Sequence, residues 1–315
     1  MYNNVSKRQR YIDALSGLLI INMILGHCIQ LADCRDIPLY NWMNALSFFM
    51  PWFFFKSGMF YREKSLKETI YGGAKLLKPY FYWNLIGYIP FVLLLIAKSD
   101  DVWYHYCLQP FKGIILNAQY TGNSPLWFLP VLFVVKCLFA RFKNIPWILL
   151  AIVSFLIGYF CYVFNVKEPT YIASIFTGLF FYTLGYVLSS FQYNRVLFIA
   201  SIIIYIGFLI LGVSFVDINS NMLQCGNYLL WPIFALSGII CFNNLFRCLD
   251  CIFTKWSILQ YIGNNSMKFY VSHWVILNMG MLMFKYFFEM GKYDILCCNI
   301  VLCVIVLPIV PKIYK

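Results

Sequence analysis

Apolar runs recur along the whole chain, near 11 to 31, 45 to 60, 79 to 97, 125 to 140, 146 to 164, 169 to 189, 196 to 215, 227 to 246, 267 to 287 and 293 to 311, each bounded by charge, Pro or Asn/Gly clusters. A helix of about 20 such residues crosses a hydrocarbon core of about 30 Å. In lipid the backbone must satisfy its own polar groups, and runs of this length do so as helices. The pattern therefore predicts an all-α polytopic membrane protein with about ten transmembrane helices. Composition agrees: a chain that is 62% hydrophobic and 11% charged has too few polar side chains to coat a soluble globule. The longest loop, about residues 98 to 124, is too short for a separate catalytic domain, so residues 1–315 are expected to form one unit.

A net charge of +12 would point to nucleic acid in a soluble domain. Here the basic residues gather on alternate loops, so the charge reads as topology, with the N- and C-termini cytoplasmic. The expected location is the cell membrane, multi-pass, with the lipid bilayer as a partner and no nucleic acid. Basic residues before the first apolar run resemble a signal peptide, but the length of the run and the His27-Cys28 step favour a retained first helix. The 12 cysteines are scattered singly, mostly within apolar runs, as small buried hydrophobes. Cys248-Leu-Asp-Cys251 lacks a second ligand pair, and no metal is expected. Cys34, Cys107 and Cys225 are the cysteines placed outside, and the sequence does not pair them.

The first run, Tyr11 to Cys28, is apolar yet ends on His27, about 24 Å along the helix from Tyr11. An ionisable side chain at that depth is a functional candidate; the structural reading is a hydrogen bond between helices. Arg62 to Lys78 is a basic cytoplasmic segment interrupted by Gly72-Gly73. It is read either as a loop held at anionic headgroups or as a docking site for a phosphorylated cosubstrate.

Four separated motifs then carry a resemblance: Tyr11-Ile-Asp-Ala-Leu-Ser-Gly through Leu25-Gly-His27; Phe48 to Phe60 with Ser57-Gly58, followed by Lys75-Leu-Leu-Lys78-Pro79-Tyr80; Leu126-Trp127-Phe128-Leu129-Pro130; and Tyr261-Ile-Gly263-Asn-Asn-Ser266 through Tyr270-Val-Ser-His273. In this order they resemble the acyltransferase-3 family of integral membrane O-acyltransferases. The family usually has an arginine eleven residues before its first-helix histidine, where this chain has Ser16, and an arginine pair where this chain has Lys75 and Lys78. Lys56, about five residues from the cytoplasmic end of the second run, is expected at the depth of Ser16. Either it replaces the missing cation or it snorkels to headgroups.

The resemblance implies an O-acyltransferase that moves an acyl group, acetyl by default, from cytoplasmic acetyl-CoA to a hydroxyl of a surface polysaccharide or lipid-linked sugar. His27 would be its catalytic residue, as general base or as acyl carrier. Lys56, Lys75, Lys78, Arg62 and Ser16 would serve the donor, His273 would serve the donor or pack between helices, and Trp127 would stack on the sugar or stand in the interfacial aromatic belt. His273, counted from the cytoplasmic start of its run, is expected about 15 Å from His27 along the membrane normal, so no histidine pair is expected. Ser57-Gly58 and Gly263-Asn264-Asn265-Ser266 would allow close helix approach or a turn at the cytoplasmic face, and His105 would be a solvated loop residue. A transporter or flippase for a glycan or small polar solute is the alternative, since buried polar groups would equally line a translocation path.

Overall fold

The computed structural model of the chain describes residues 9–97, 113, 121–166, 171–189, 194–212, 227–252 and 257–313. Among these the regular structure is all helical. In chain order the helices are α1 (Arg10–Leu31), α2 (Pro38–Ala45), α3 (Phe49–Met59), α4 (Leu66–Ala97), a 3₁₀ turn (Thr121–Trp127), α5 (Phe128–Phe142), α6 (Trp147–Val163), α7 (Tyr171–Leu188), α8 (Arg195–Ile210), α9 (Leu230–Ile252), α10 (Ser257–Asn264), α11 (Ser266–Met281), a π-helical segment (Leu282–Phe287), α12 (Lys292–Val306) and α13 (Val310–Ile313).

Each of the ten expected apolar runs contains a helix. Among the described residues, five helical stretches are long and apolar enough to cross a membrane: Arg10–Leu31, Asn123–Phe142, Tyr171–Leu188, Leu230–Asp250 and Lys292–Lys312. Two more apolar helices, Trp147–Val163 and Arg195–Ile210, are shorter. The helix of the second run starts late, at Phe49. Pro51 has no N–H, and its ring would clash with the carbonyl four residues back, at Ser47. The chain accordingly ends α2 at Ala45 and begins α3 at Phe49.

The basic segment expected as a loop is also corrected. Its non-helical part is confined to residues 62–65, and α4 then runs for 32 residues, about 48 Å. Ser65 and Glu68 nucleate it as a capping box. The Ser65 N–H donates to Glu68 Oε2 at 2.8 Å, and the Glu68 N–H donates to Ser65 Oγ at 3.2 Å.

Glycines set the closest helix contacts. A Cβ on Gly17 would strike the Leu259 carbonyl, and one on Gly263 would strike the Asp13 carbonyl, so α10 lies backbone to backbone on the first turns of α1. Gly58 and Gly185 make the same reciprocal contact between α3 and α7, through the Tyr182 and Phe55 carbonyls. Close approach at Ser57-Gly58 and at Gly263 was expected from the sequence, and both occur. The core between these helices is aromatic and aliphatic, with Leu15, Trp52, Phe54, Phe181 and Phe234 almost fully buried.

Candidate active site

Two consequences of this packing build the site. Because Gly263 rests against Asp13 and Gly17, the break between α10 and α11 lies a turn or more up α1 from Arg10. Ten further residues carry α11 about 15 Å up to His273, and twelve carry α1 about 18 Å from that level to His27. The two side chains thus arrive together: the imidazole centroids are 5.3 Å apart with planes 24° from parallel. This overturns the expected 15 Å separation. That estimate assumed that α11 starts at the membrane face, whereas the preceding helix holds its start inside the bundle.

Trp274 closes the pair edge-on, 5.0 Å from His27, and the Tyr270 ring lies 6.1 Å from His273. His273 is fully buried. Its Nδ1 is 2.6 Å from the Tyr270 carbonyl oxygen. A carbonyl only accepts, so Nδ1 carries the hydrogen and Nε2 of the neutral ring presents a lone pair. Among the described residues that Nε2 has no hydrogen-bond partner. His27 is half-buried, and its Nδ1 faces Gln30 Oε1 at 3.3 Å, one turn on, which orients its ring in the same sense.

The Leu126-Trp127-Phe128 motif is pinned beside α11. Asn123 Nδ2 donates to the Trp83 carbonyl at 3.1 Å and to the Val271 carbonyl at 3.2 Å. The Tyr270 hydroxyl donates to the Pro125 carbonyl. Trp127 is half-buried and edge-on to Phe128, whose ring meets Tyr270 at 5.8 Å. Trp127 is thereby tied to the histidine pair through Phe128 and Tyr270.

At the other end of the same face of α1, Lys56 Nζ donates to Ser16 Oγ at 2.6 Å, and Ser16 in turn donates to the Ile12 carbonyl at 2.7 Å. The ammonium also sits 5.3 Å from the Trp52 ring centroid, a cation–π contact. Lys56 is therefore at the depth expected for it and in direct contact with the position where the resembling family carries arginine.

Ser16, Ile20, Met23 and His27 follow at helical spacing on one stripe of α1. An apolar cleft of about 60 Å³ lies along that stripe, lined by Ile20, Met23, Met50, Phe53, Phe128 and Tyr270 among others. Phe53 precedes Lys56 by one turn, and Tyr270 precedes His273 by one turn. The cleft thus lies between the levels of the Lys56–Ser16 pair and of the two histidines, which are separated along α1 by about 16 Å, and is lined by none of these four residues.

The remaining candidates stand apart. Lys75 and Lys78 are exposed on α4, on the outward face that continues through Tyr82, Leu85 and Ile89, and Arg62 is exposed in the link before it. Nothing in the described contacts joins them to the cleft. Cys34 is a buried free thiol whose Sγ donates to the Lys292 carbonyl at 3.4 Å, while Cys107, Cys225 and His105 lie outside the described residues. Sequence reasoning missed Tyr270, Trp274, Asn123 and Gln30. The spacing of Gln30 from His27 and of Tyr270 from His273, three residues in each case, was the available signal.

Among known proteins, no curated protein and no solved structure matches the chain. Residues 9–310, nearly its whole length, match the family of the acyltransferase domain that the four motifs resemble. With the histidine pair, the cleft and the apolar helices in place, the match is decisive at the level of family: the chain belongs to the acyltransferase-3 family and is a membrane acyltransferase.

Proposed function

We propose that the protein is an O-acyltransferase of the cell membrane that moves an acyl group, by default acetyl, from cytoplasmic acyl-CoA to a hydroxyl of a surface polysaccharide or lipid-linked sugar. The observation that carries this reading is the stack of two imidazoles at 5.3 Å on the same stripe of α1 that meets Lys56 at Ser16, with a small apolar cleft at a level between them. The pantetheine arm of the donor is a narrow chain whose length is comparable to the Ser16 to His27 rise, and its thioester would reach the histidines while Lys56 meets an anionic or carbonyl oxygen of the donor. With the N-terminus cytoplasmic, the acceptor would enter from the other side, past Trp127.

The chemistry needs a base at the acceptor hydroxyl. As the oxygen attacks the thioester carbonyl, its proton passes to Nε2 of His27. When the tetrahedral intermediate collapses, the carbon–sulfur bond breaks, the thiolate takes that proton, and ester and free thiol leave. Two imidazolium rings 5.3 Å apart would repel by about 3 kcal/mol at an effective dielectric of 20. The pair therefore holds one proton at a time, and His273 stays neutral against the charged His27 ring. In the second route the same geometry serves, with His27 Nε2 attacking the thioester first and passing the acyl group on.

Purified protein in proteoliposomes, given acetyl-labelled acetyl-CoA inside and oligosaccharide acceptor outside, tests the reading. It requires label to appear outside as a base-labile sugar ester. Label that stays on CoA, or acceptor that crosses unmodified, would count for the transport alternative.

A further inference from the structure

A group of buried polar atoms at the level of the histidines is left unused by the proton transfers above. Its placement starts from Asn123, which is fully buried. Asn123 Nδ2 donates to the Trp83 carbonyl of α4 at 3.1 Å and to the Val271 carbonyl of α11 at 3.2 Å. The two oxygens share one donor, so they lie within about 6 Å of each other. α4 and α11 both climb from the end of the bundle where Lys56 meets Ser16 and Gly263 meets Asp13. Asn84 is one residue beyond this clamp and His273 two, about 1.5 and 3 Å further along. Asn84 and His273 therefore stand at nearly one level.

Asn84 is also turned inward. Tyr80, Asn84 and Gly87 follow at helical spacing on a buried stripe of α4, away from the outward face of Tyr82, Leu85 and Ile89. That helix packs against α11, the 3₁₀ turn and α5. α5 begins at Phe128, whose ring meets Tyr270, and runs the other way. At the level of Asn84 the neighbours are thus α11 and the turn, and the Asn84 side chain, with the residue only 4% exposed, lies against them.

Among the described residues, both ends of the Asn84 carboxamide, Asn123 Oδ1, Trp274 Nε1 and His273 Nε2 are buried without a hydrogen-bond partner. Native proteins hold few such atoms, because each one forfeits its bond to water. Here five come from three elements, beside the imidazole of His27 that Trp274 meets edge-on at 5.0 Å. Asn84 Nδ2 and Trp274 Nε1 donate; Asn84 Oδ1, Asn123 Oδ1 and the Nε2 lone pair of neutral His273 accept. None is charged. An anion would satisfy only the donors and an ammonium only the acceptors. Neighbouring hydroxyls satisfy both, since each can donate one bond and accept another.

We propose that Asn84, with Asn123 Oδ1 and Trp274 Nε1, forms the subsite that binds the hydroxyls of a neutral sugar acceptor and presents one of them to the histidine pair. The fate of that hydroxyl rests on the acyl-transfer reading above; its binding does not. The Asn84 carboxamide accepts from one hydroxyl through Oδ1 and donates to the neighbouring oxygen through Nδ2, a paired contact that fixes which hydroxyl is held at His27. Trp127, at the end of the same 3₁₀ turn as Asn123, supplies a flat ring on which the sugar would rest.

The test uses the full chain in nanodiscs as wild type, Asn84→Leu and Asn84→Ser, with an oligosaccharide cut from the host's own surface glycan as the probe. Binding of the oligosaccharide is measured without donor, and initial rates of acyl transfer are measured against each substrate. Asn84→Leu should weaken binding and raise the acceptor KM about tenfold or more, as the loss of two hydrogen bonds requires, with KM for acyl-CoA unchanged. Its thermal unfolding temperature should not fall, because leucine replaces an amide that has no partner to lose. Asn84→Ser, which is smaller and keeps one hydroxyl, should lie between the two and carries the test if the leucine variant does not fold. Wild type that binds the oligosaccharide through Asn84 but transfers no acyl group would sink the acyl-transfer reading and leave the subsite standing. Folded variants with wild-type binding and wild-type acceptor KM would overturn the subsite and leave acyl transfer in place, and wild type that does not bind the oligosaccharide would overturn it too.

Discussion

The contact between Lys56 and Ser16 predicts that the donor's cation can be moved across it. Lys56 Nζ is 2.6 Å from Ser16 Oγ, so position 16 on α1 and position 56 on α3 address one point in space. Removing the ammonium as Lys56→Met deletes a hydrogen bond from a charged group, an interaction of about 1.5–3 kcal/mol. If that ammonium meets the donor in the complex, the loss corresponds to a roughly 10- to 150-fold fall in kcat/KM for acyl-CoA, carried mainly by KM. Ser16 keeps its bond to the Ile12 carbonyl, and the apolar part of the lysine is replaced by methionine, so the fold should be little disturbed. Ser16→Arg in the Lys56→Met background returns a cation to the same point from the other helix and should recover most of the loss. Ser16→Arg with Lys56 intact sets two cations side by side and should recover nothing. Initial rates of acyl transfer against acyl-CoA concentration, in nanodiscs, give the numbers. An unchanged KM in Lys56→Met would refute the donor role and leave Lys56 as a packing and headgroup residue. A double variant no better than the single one would refute the shared position.

Other consequences are structural. Gly17→Ala, which drives a methyl into the Leu259 carbonyl, should lower stability by about 1–3 kcal/mol through overpacking. Gly72→Ala, where a Cβ meets nothing within 4 Å, should raise it by about 0.4–1 kcal/mol. Thermal unfolding of both in one detergent decides this, and the reverse order would contradict the packing of α10 on α1. At the other end of α1, Asp36 accepts from the Tyr293 hydroxyl at 2.8 Å and from Lys292 at 3.1 Å. The Tyr293 hydrogen bond and the Lys292 ammonium hold its carboxyl below the usual range. Its contribution to stability is therefore present above the carboxylate's unfolded pKa and is lost as pH falls through the lower folded value. Asp36→Asn should lower stability near neutrality and remove that acid-side dependence, so that the two proteins converge at low pH; an identical stability–pH curve in the variant would show that the tether between the α1–α2 corner and α12 contributes nothing.

What the sequence conveyed and what it withheld divide along one line. Apolar runs, the polar end of the first helix and the contact between Ser16 and Lys56 follow from counting along single helices; each run holds a helix, five of the described helical stretches are long and apolar enough to cross a membrane, and Lys56 meets Ser16. The errors arise where one helix fixes the level of another. His273 was counted from the start of its own apolar run. Gly17 and Gly263, by letting α10 lie on α1, raise that start into the bundle and bring the two imidazoles into a stack. The start of α4 was hidden for a local reason: Ser65-x-x-Glu68 is a capping signal, but the lysines and Gly72-Gly73 that follow read as loop. Pro51 was equally local: in the first turn of α3 it keeps that helix from extending back through Ser47, for a steric reason visible in the sequence alone.

The central claim is that stacked His27 and His273 act at one reacting centre. The most direct measurement is base-labile ester formation on the acceptor by wild type, His27→Ala, His273→Ala and the double variant, each confirmed to be folded and inserted. Loss of a positioned general base corresponds to about 10²- to 10⁴-fold. The account predicts that each single variant loses activity on that scale and that the double variant loses little more than the worse single one, as residues acting as a unit do. His273→Ala with wild-type rate, or losses that simply multiply in the double variant, would contradict it.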